Sequence, residues 1–155
     1  MTIEVAALDD RPRFASVSSE TILLVDDFEP WRRFVSSALK RGSQLRVLCE
    51  ATDGMDAVKK SEELQPDLIL LDLGLPALNG IEAARQIRRL SPKSKILFVS
   101  QESSVDIVQE ALSLGAWGYV VKSDAQMELL PAINTVLGGQ KFIGSRFVGH
   151  DFWAN

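Results

Sequence analysis

A doubly wound α/β fold built on a five-stranded parallel sheet is expected for this chain, on three observations. From about Thr21 short apolar runs alternate with helical patterns, the runs themselves are apolar almost without interruption, and aspartates directly follow the first and third of them. Strands that face water on one side would alternate with polar residues. Continuous apolar runs instead fit a parallel sheet covered by helices on both faces. Nearly half of the 155 residues are apolar, enough for one domain with a buried core.

The first twenty residues carry neither helical nor strand periodicity, so 1–20 is expected to be a flexible leader. The five strands are expected at Thr21 to Val25, Leu45 to Cys49, Leu68 to Leu71, Ile96 to Val99 and Trp117 to Val121. Between the first two, Trp31, Phe34, Val35, Ala38 and Leu39 recur at three- and four-residue steps on one helical stripe, with Pro30 suited to its first turn. Ala57, Val58, Ser61 and Leu64 give a second stripe after Asp53. Asn79 with Glu82 resembles a capping box that opens a third helix at Gly80, and Val105, Val108 and Leu112 mark a fourth. The fifth, from about Asp124 to Leu137, turns Leu130, Ile133 and Leu137 inward; Pro131 lies beyond its first turn, so a kink or late start is expected there. The expected domain is 21–139. The tail 140–155 is too short for another domain, but Phe142, Phe147, Phe152 and Trp153 are candidates to pack onto this one.

A net charge of −4 argues against a nucleic-acid surface spread over the whole molecule. Cys49, the one cysteine, has no internal disulfide partner and reads as a small core residue; His150, the one histidine, makes no metal site alone. With neither a secretory signal nor a membrane-spanning apolar run visible, the cytoplasm is the expected location, without membrane contact.

In such a sheet, ligands bind outside the carboxyl ends of the strands where the strand order reverses. Asp26 and Asp27 end the first strand and Asp72 the third, so the fold brings three acids together. Each pair at contact distance repels by roughly 4 kcal/mol at an intermediate dielectric, which calls for a cation. Magnesium is the expected one, since it binds through one or two carboxylates and bridges to phosphate oxygens. Ser100 after the fourth strand and Lys122 after the fifth face the same edge, a hydroxyl and an ammonium suited to the oxygens of a transferring phosphoryl group. Asp72 is left as the nucleophile, because a carboxylate can form an acyl phosphate.

Four segments carry a family resemblance: Leu23-Leu24-Val25-Asp26-Asp27, Asp72-Leu73-Gly74-Leu75-Pro76 with Gly80, the Ser100 position, and Gly115 through Lys122. In this order, each at the end of an expected strand, they resemble the receiver domain of bacterial two-component response regulators, over roughly Thr21 to Gly139. The resemblance implies a flavodoxin-like strand order 2-1-3-4-5. It also implies Asp72 as phosphoacceptor, magnesium held directly by Asp27, Asp72 and the Gly74 carbonyl and partly through water by Asp26, and phosphoryl oxygens held by Ser100 and Lys122. A switch is implied in which Ser100 moves toward the phosphoryl group and Tyr119 rotates inward, read out on the fourth helix, fifth strand and fifth helix. Such a chain is a signalling receiver rather than an enzyme, catalysing only its own phosphorylation and dephosphorylation. A histidine kinase or phosphotransfer protein is the implied donor and a homodimer an implied form.

Two positions depart from the pattern. Ser123 stands where many receivers have a proline, so Lys122 is expected to be aimed differently or less firmly. Gly74 has no side chain to shield an acyl phosphate, and Glu102 occupies a position that often tunes hydrolysis. Other readings fare worse: haloacid-dehalogenase phosphatases need an aspartate where Gly74 stands, and a flavodoxin needs a Ser/Thr- and Gly-rich loop where this chain is acidic. The fifth helix looks like that of regulators that continue into a LuxR-type helix-turn-helix. The alternatives within the family are therefore the receiver half of a DNA-binding regulator, which without that half should not read DNA, and a receiver-like binding module that signals without phosphate.

Overall fold

The computed structural model describes residues 20–41 and 44–153. The expected leader lies outside the described residues, apart from Glu20, which opens the first strand. Strands β1 (Glu20–Val25), β2 (Leu45–Ala51), β3 (Leu68–Leu71), β4 (Lys95–Ser100) and β5 (Gly118–Val121) alternate with helices α1 (Glu29–Leu39), α2 (Gly54–Leu64), α3 (Gly80–Leu90), α4 (Val105–Ser113) and α5 (Ala125–Leu137). Every pairing is parallel, and the order is β2-β1-β3-β4-β5. The tail adds a strand that the sequence reading did not foresee: β6 (Phe142–Ile143) pairs in parallel with Gly118 and Tyr119, making the sheet six-stranded. Two residues are too few for a periodicity, so only the free edge of β5 makes this strand.

The apolar runs explain the layers. All four residues of β3 and of β5 are buried, and odd and even positions feed two cores. On one face Leu23, Val25, Ile69, Leu71, Phe98 and Tyr119 pack against α2, α3 and α4. On the other, Ile22, Leu24, Leu68, Leu70, Leu97 and Val120 meet α1 and α5. β2 lies at the sheet edge and is only half-buried, Cys49 included. The stripes are narrower than their sequence patterns: in α1 Val35, Ala38 and Leu39 are buried while Phe34 is exposed, and in α2 Leu64 is exposed.

The helix ends follow local chemistry. Asp53 and Asn79 accept hydrogen bonds from the backbone N–H groups of Asp56 (2.8 Å) and Glu82 (3.0 Å), capping α2 and α3. The Glu82 carboxylate turns to Arg85 (3.0 Å), so the second half of the capping box is not made. Pro131 does not delay α5, which begins at Ala125 and runs through it. Pro131 and Met127, whose carbonyl loses the bond, both lie on the exposed face of the helix, Met127 at 81% exposure, where a freed carbonyl costs least. The tail packs onto the domain, burying Phe147 and Phe152 and leaving Phe142 and Trp153 partly covered.

Candidate functional site

Sheet register builds the site. Val25 is the partner of Leu71, and the Asp72 N–H donates to the Val25 carbonyl (3.2 Å), so the residues after these two strands stand side by side. Those residues are Asp26 and Asp72. Leu71 in turn pairs with Phe98, and Ser100 with Val121, which carries Ser100 and Lys122 to the same edge. The chain leaves β1 for β2 on one side and reaches β3 on the other, so the crevice lies at the reversal of strand order.

Asp26, Asp27 and Asp72 each offer a carboxylate oxygen, and the three lie within 4.8 Å of one another. Asp26 and Asp72 are buried, Asp27 exposed. The Lys122 ammonium reaches into the cluster, 2.6 Å from Asp26 Oδ2 and 3.7 Å from Asp72 Oδ2. The remaining oxygens are held by backbone: Asp26 Oδ1 accepts from Phe28 N–H and Asp72 Oδ1 from Leu73 N–H, both at 2.9 Å. Burial pushes the Asp72 carboxyl above its ordinary range. Lys122 opposes that rise, Asp26 adds to it, and the Ser100 hydroxyl and Leu73 N–H oppose it as hydrogen-bond donors. One ammonium among three crowded acids leaves room for further positive charge, and a hard, all-oxygen donor set fits magnesium.

Lys122 opens a 3-10 turn, Lys122–Asp124, and the peptide bond to Ser123 is trans. Its aim comes from Asp26 and from Trp31, whose ring centroid is 5.1 Å from Nζ. Trp31, read from the sequence as helix packing, thus also flanks the lysine. Arg32 was missed: its guanidinium donates to the Asp26 carbonyl (2.9 Å) and pairs with Glu50 (2.8 Å), fixing the loop that carries the acids. A contact between elements 18 residues apart leaves no local pattern to find.

Ser100 is buried. Tyr119 is buried as well, ring inward against Phe98 (centroids 6.2 Å apart), with its hydroxyl donating to the Glu102 carbonyl (2.8 Å). Burial raises its pKa, which the Ser100 hydroxyl partly offsets. A cleft of about 790 Å³ opens over the acids between α3 and α4, lined among others by Asp27, Asp72, Gly74, Ser100, Glu102 and Lys122. A Cβ on Gly74 would meet nothing within 4 Å, so the space beside the glycine is open. Gly80 is the opposite case: a Cβ there would lie 2.1 Å from the Asp72 carbonyl oxygen. The site residues named from the sequence therefore share one edge; Asp27, Asp72, Gly74, Ser100 and Lys122 line the cleft, while Asp26 and Tyr119 are buried beside it.

Comparison with known proteins agrees with this geometry. The response regulator receiver domain family matches residues 22–134. The transcriptional activator protein ExaE of Pseudomonas putida is 34% identical over 122 residues, 79% of this chain and 57% of that protein. The nitrate/nitrite response regulator protein NarL of Escherichia coli K12 is 35% identical over 120 residues, 77% of this chain and 56% of its own length. The chain thus spans little more than half the length of these relatives. Among solved structures, a LuxR-family two-component response regulator from Aurantimonas sp. SI85-9A1 is 34% identical with a TM-score of 0.77, covering 83% of this chain and 91% of that one. Family match, fold and relatives agree that the chain belongs to the response regulator receiver domains of two-component systems.

Proposed function

We infer that this receiver accepts a phosphoryl group on Asp72 from a histidine kinase or phosphotransfer protein in the cytoplasm. The observation that carries the reading is the convergence of Asp26, Asp27, Asp72 and Lys122 within one opening at the switch point of the sheet. Asp72 is the nucleophile: a carboxylate oxygen attacks phosphorus, the bond from phosphorus to the donor breaks, and an acyl phosphate forms. Asp27, Asp72 and the Gly74 carbonyl are the residues that would hold magnesium, with Asp26 behind them. When bound, magnesium supplies positive charge to the oxygens of the transferring group. Lys122 and Ser100 supply a cation and a hydroxyl donor to the same oxygens, and Asp26 holds the Lys122 ammonium in place.

Output is assigned to the surface of α4, β5 and α5, with Ser100 and Tyr119 as the switch pair. Tyr119 lies inward here, so the switch amounts to how firmly that position is held rather than to whether it is reachable. As the relatives are named as a transcriptional activator and a response regulator, a DNA-binding half and a homodimer belong to the same proposal for the whole protein.

Intact-protein mass after incubation with acetyl phosphate tests the reading. A single phosphoryl adduct that requires magnesium is expected; a folded protein that gains none would favour a receiver-like module that works without phosphate.

A further inference from the structure

The surface assigned above to output is covered by the chain's own tail. β6 extends the sheet from β5, with Phe142 N–H donating to the Trp117 carbonyl (3.0 Å). Ser145 then donates through its N–H (3.0 Å) and hydroxyl (2.8 Å) to one oxygen of Glu128 on α5. Arg146 grips both oxygens of Asp124 (2.7 and 2.9 Å) and reaches the Ser123 hydroxyl (3.2 Å), directly after Lys122. Gln109 of α4 donates to the Phe152 carbonyl (3.3 Å). The tail therefore touches α4, β5 and α5 in turn.

It also touches the switch residue. Phe147 is buried and meets the Tyr119 ring edge-on, centroids 6.3 Å apart, and Phe152 meets Phe147 in the same way at 5.8 Å. Tyr119 is thus held from two sides: by Phe147 of the tail, and by the carbonyl of Glu102, two residues beyond Ser100 in the loop over Asp72. We propose that the segment Gly144–Trp153 is a latch on this face, and that its docking and the occupancy of Asp72 by a phosphoryl group strengthen one another through Tyr119. The sign follows from the geometry. With the latch docked, Tyr119 ties the Ser100–Glu102 loop down while Ser100 and Lys122 face the acids, which is the arrangement phosphoryl oxygens require.

Linkage makes the effect reciprocal: whatever factor the docked latch adds to phosphoryl affinity, the phosphoryl group adds to latch docking. The consequence for output is that phosphorylation fastens the tail over α4, β5 and α5, so that the surface a partner meets in the phosphorylated chain includes the docked tail. This inference rests on the phosphoryl-acceptor reading of Asp72.

Beryllofluoride with magnesium, a phosphoryl mimic, provides the test on the full chain. Amide exchange of residues 142–153 is measured with and without it, and its affinity is compared among the native protein, Arg146→Ala and Phe147→Ala. Tail exchange is expected to slow about tenfold on binding, and both variants to bind about tenfold more weakly, a common size for such couplings. Binding to the native chain with tail exchange unchanged or faster would overturn the latch and leave the site reading intact. The native measurement does so even if Phe147→Ala fails to fold. No binding to a folded native chain would remove the site reading and the latch together.

Discussion

The Lys122 ammonium stands 2.6 Å from the Asp26 carboxylate and more than an ångström farther, 3.7 Å, from Asp72. The lysine is therefore anchored on Asp26, leaving Asp72, the proposed nucleophile, the freer of the two. Both carboxylates are buried, so removing the cation beside them leaves uncompensated buried charge.

Lys122→Met keeps the length of the side chain and removes its charge. In chelator, urea unfolding is expected to show a loss on the order of 3 kcal/mol, the scale for stranding a buried charge. A loss of a few tenths would mean that the acids do not need the lysine.

Magnesium should stabilise the native chain, since the folded cluster gathers ligands that the unfolded chain disperses. At a hundredfold excess over its dissociation constant the gain is about 2.7 kcal/mol. Thermal melts of Asp27→Asn and Asp72→Asn should show a much smaller gain, and an equal gain in all three proteins would place the ion elsewhere.

Gly80→Ala separates helix propensity from packing. In an exposed helix the change would stabilise by about 1 kcal/mol. Here the new methyl group would strike the Asp72 backbone, so a loss of roughly 1–3 kcal/mol is expected, with weaker magnesium binding as Asp72 is displaced. Denaturant titration of a more stable variant would contradict the close approach.

The Arg146 guanidinium beside Asp124 holds that carboxyl below its ordinary range. A depressed carboxylate binds fewer protons folded than unfolded, so its contribution is present above the ordinary Asp pKa and is lost as pH falls through the folded value. Asp124→Asn should cost about 0.5 kcal/mol near neutral pH, as expected for an exposed pair. The difference from native should close as the pH falls below the carboxylate range, and a constant difference would show that the charge plays no part.

Much of the candidate site was legible because the runs Ile22 to Val25, Leu68 to Leu71, Ile96 to Val99 and Gly118 to Val121 carry no charged residue and end where polar side chains begin: Asp26, Asp72, Ser100 and Lys122 each mark a strand end. Register in a parallel sheet then does the rest. What was not legible depends on contacts between distant segments. Arg146 with Asp124 and Ser145 with Glu128 are 22 and 17 residues apart and follow no periodicity. β6 is too short to signal itself, and the unbroken course of α5 through Pro131 depends on which face of the helix meets water.

The most direct measurement is borohydride trapping of the protein after acetyl phosphate and magnesium, followed by peptide mapping. Reduction of an aspartyl phosphate leaves homoserine, so the expected result is that conversion at residue 72 alone, absent from untreated protein and from Asp72→Asn. Conversion at Asp26 or Asp27 instead, or at residue 72 without phosphorylation, would contradict Asp72 as the phosphoacceptor.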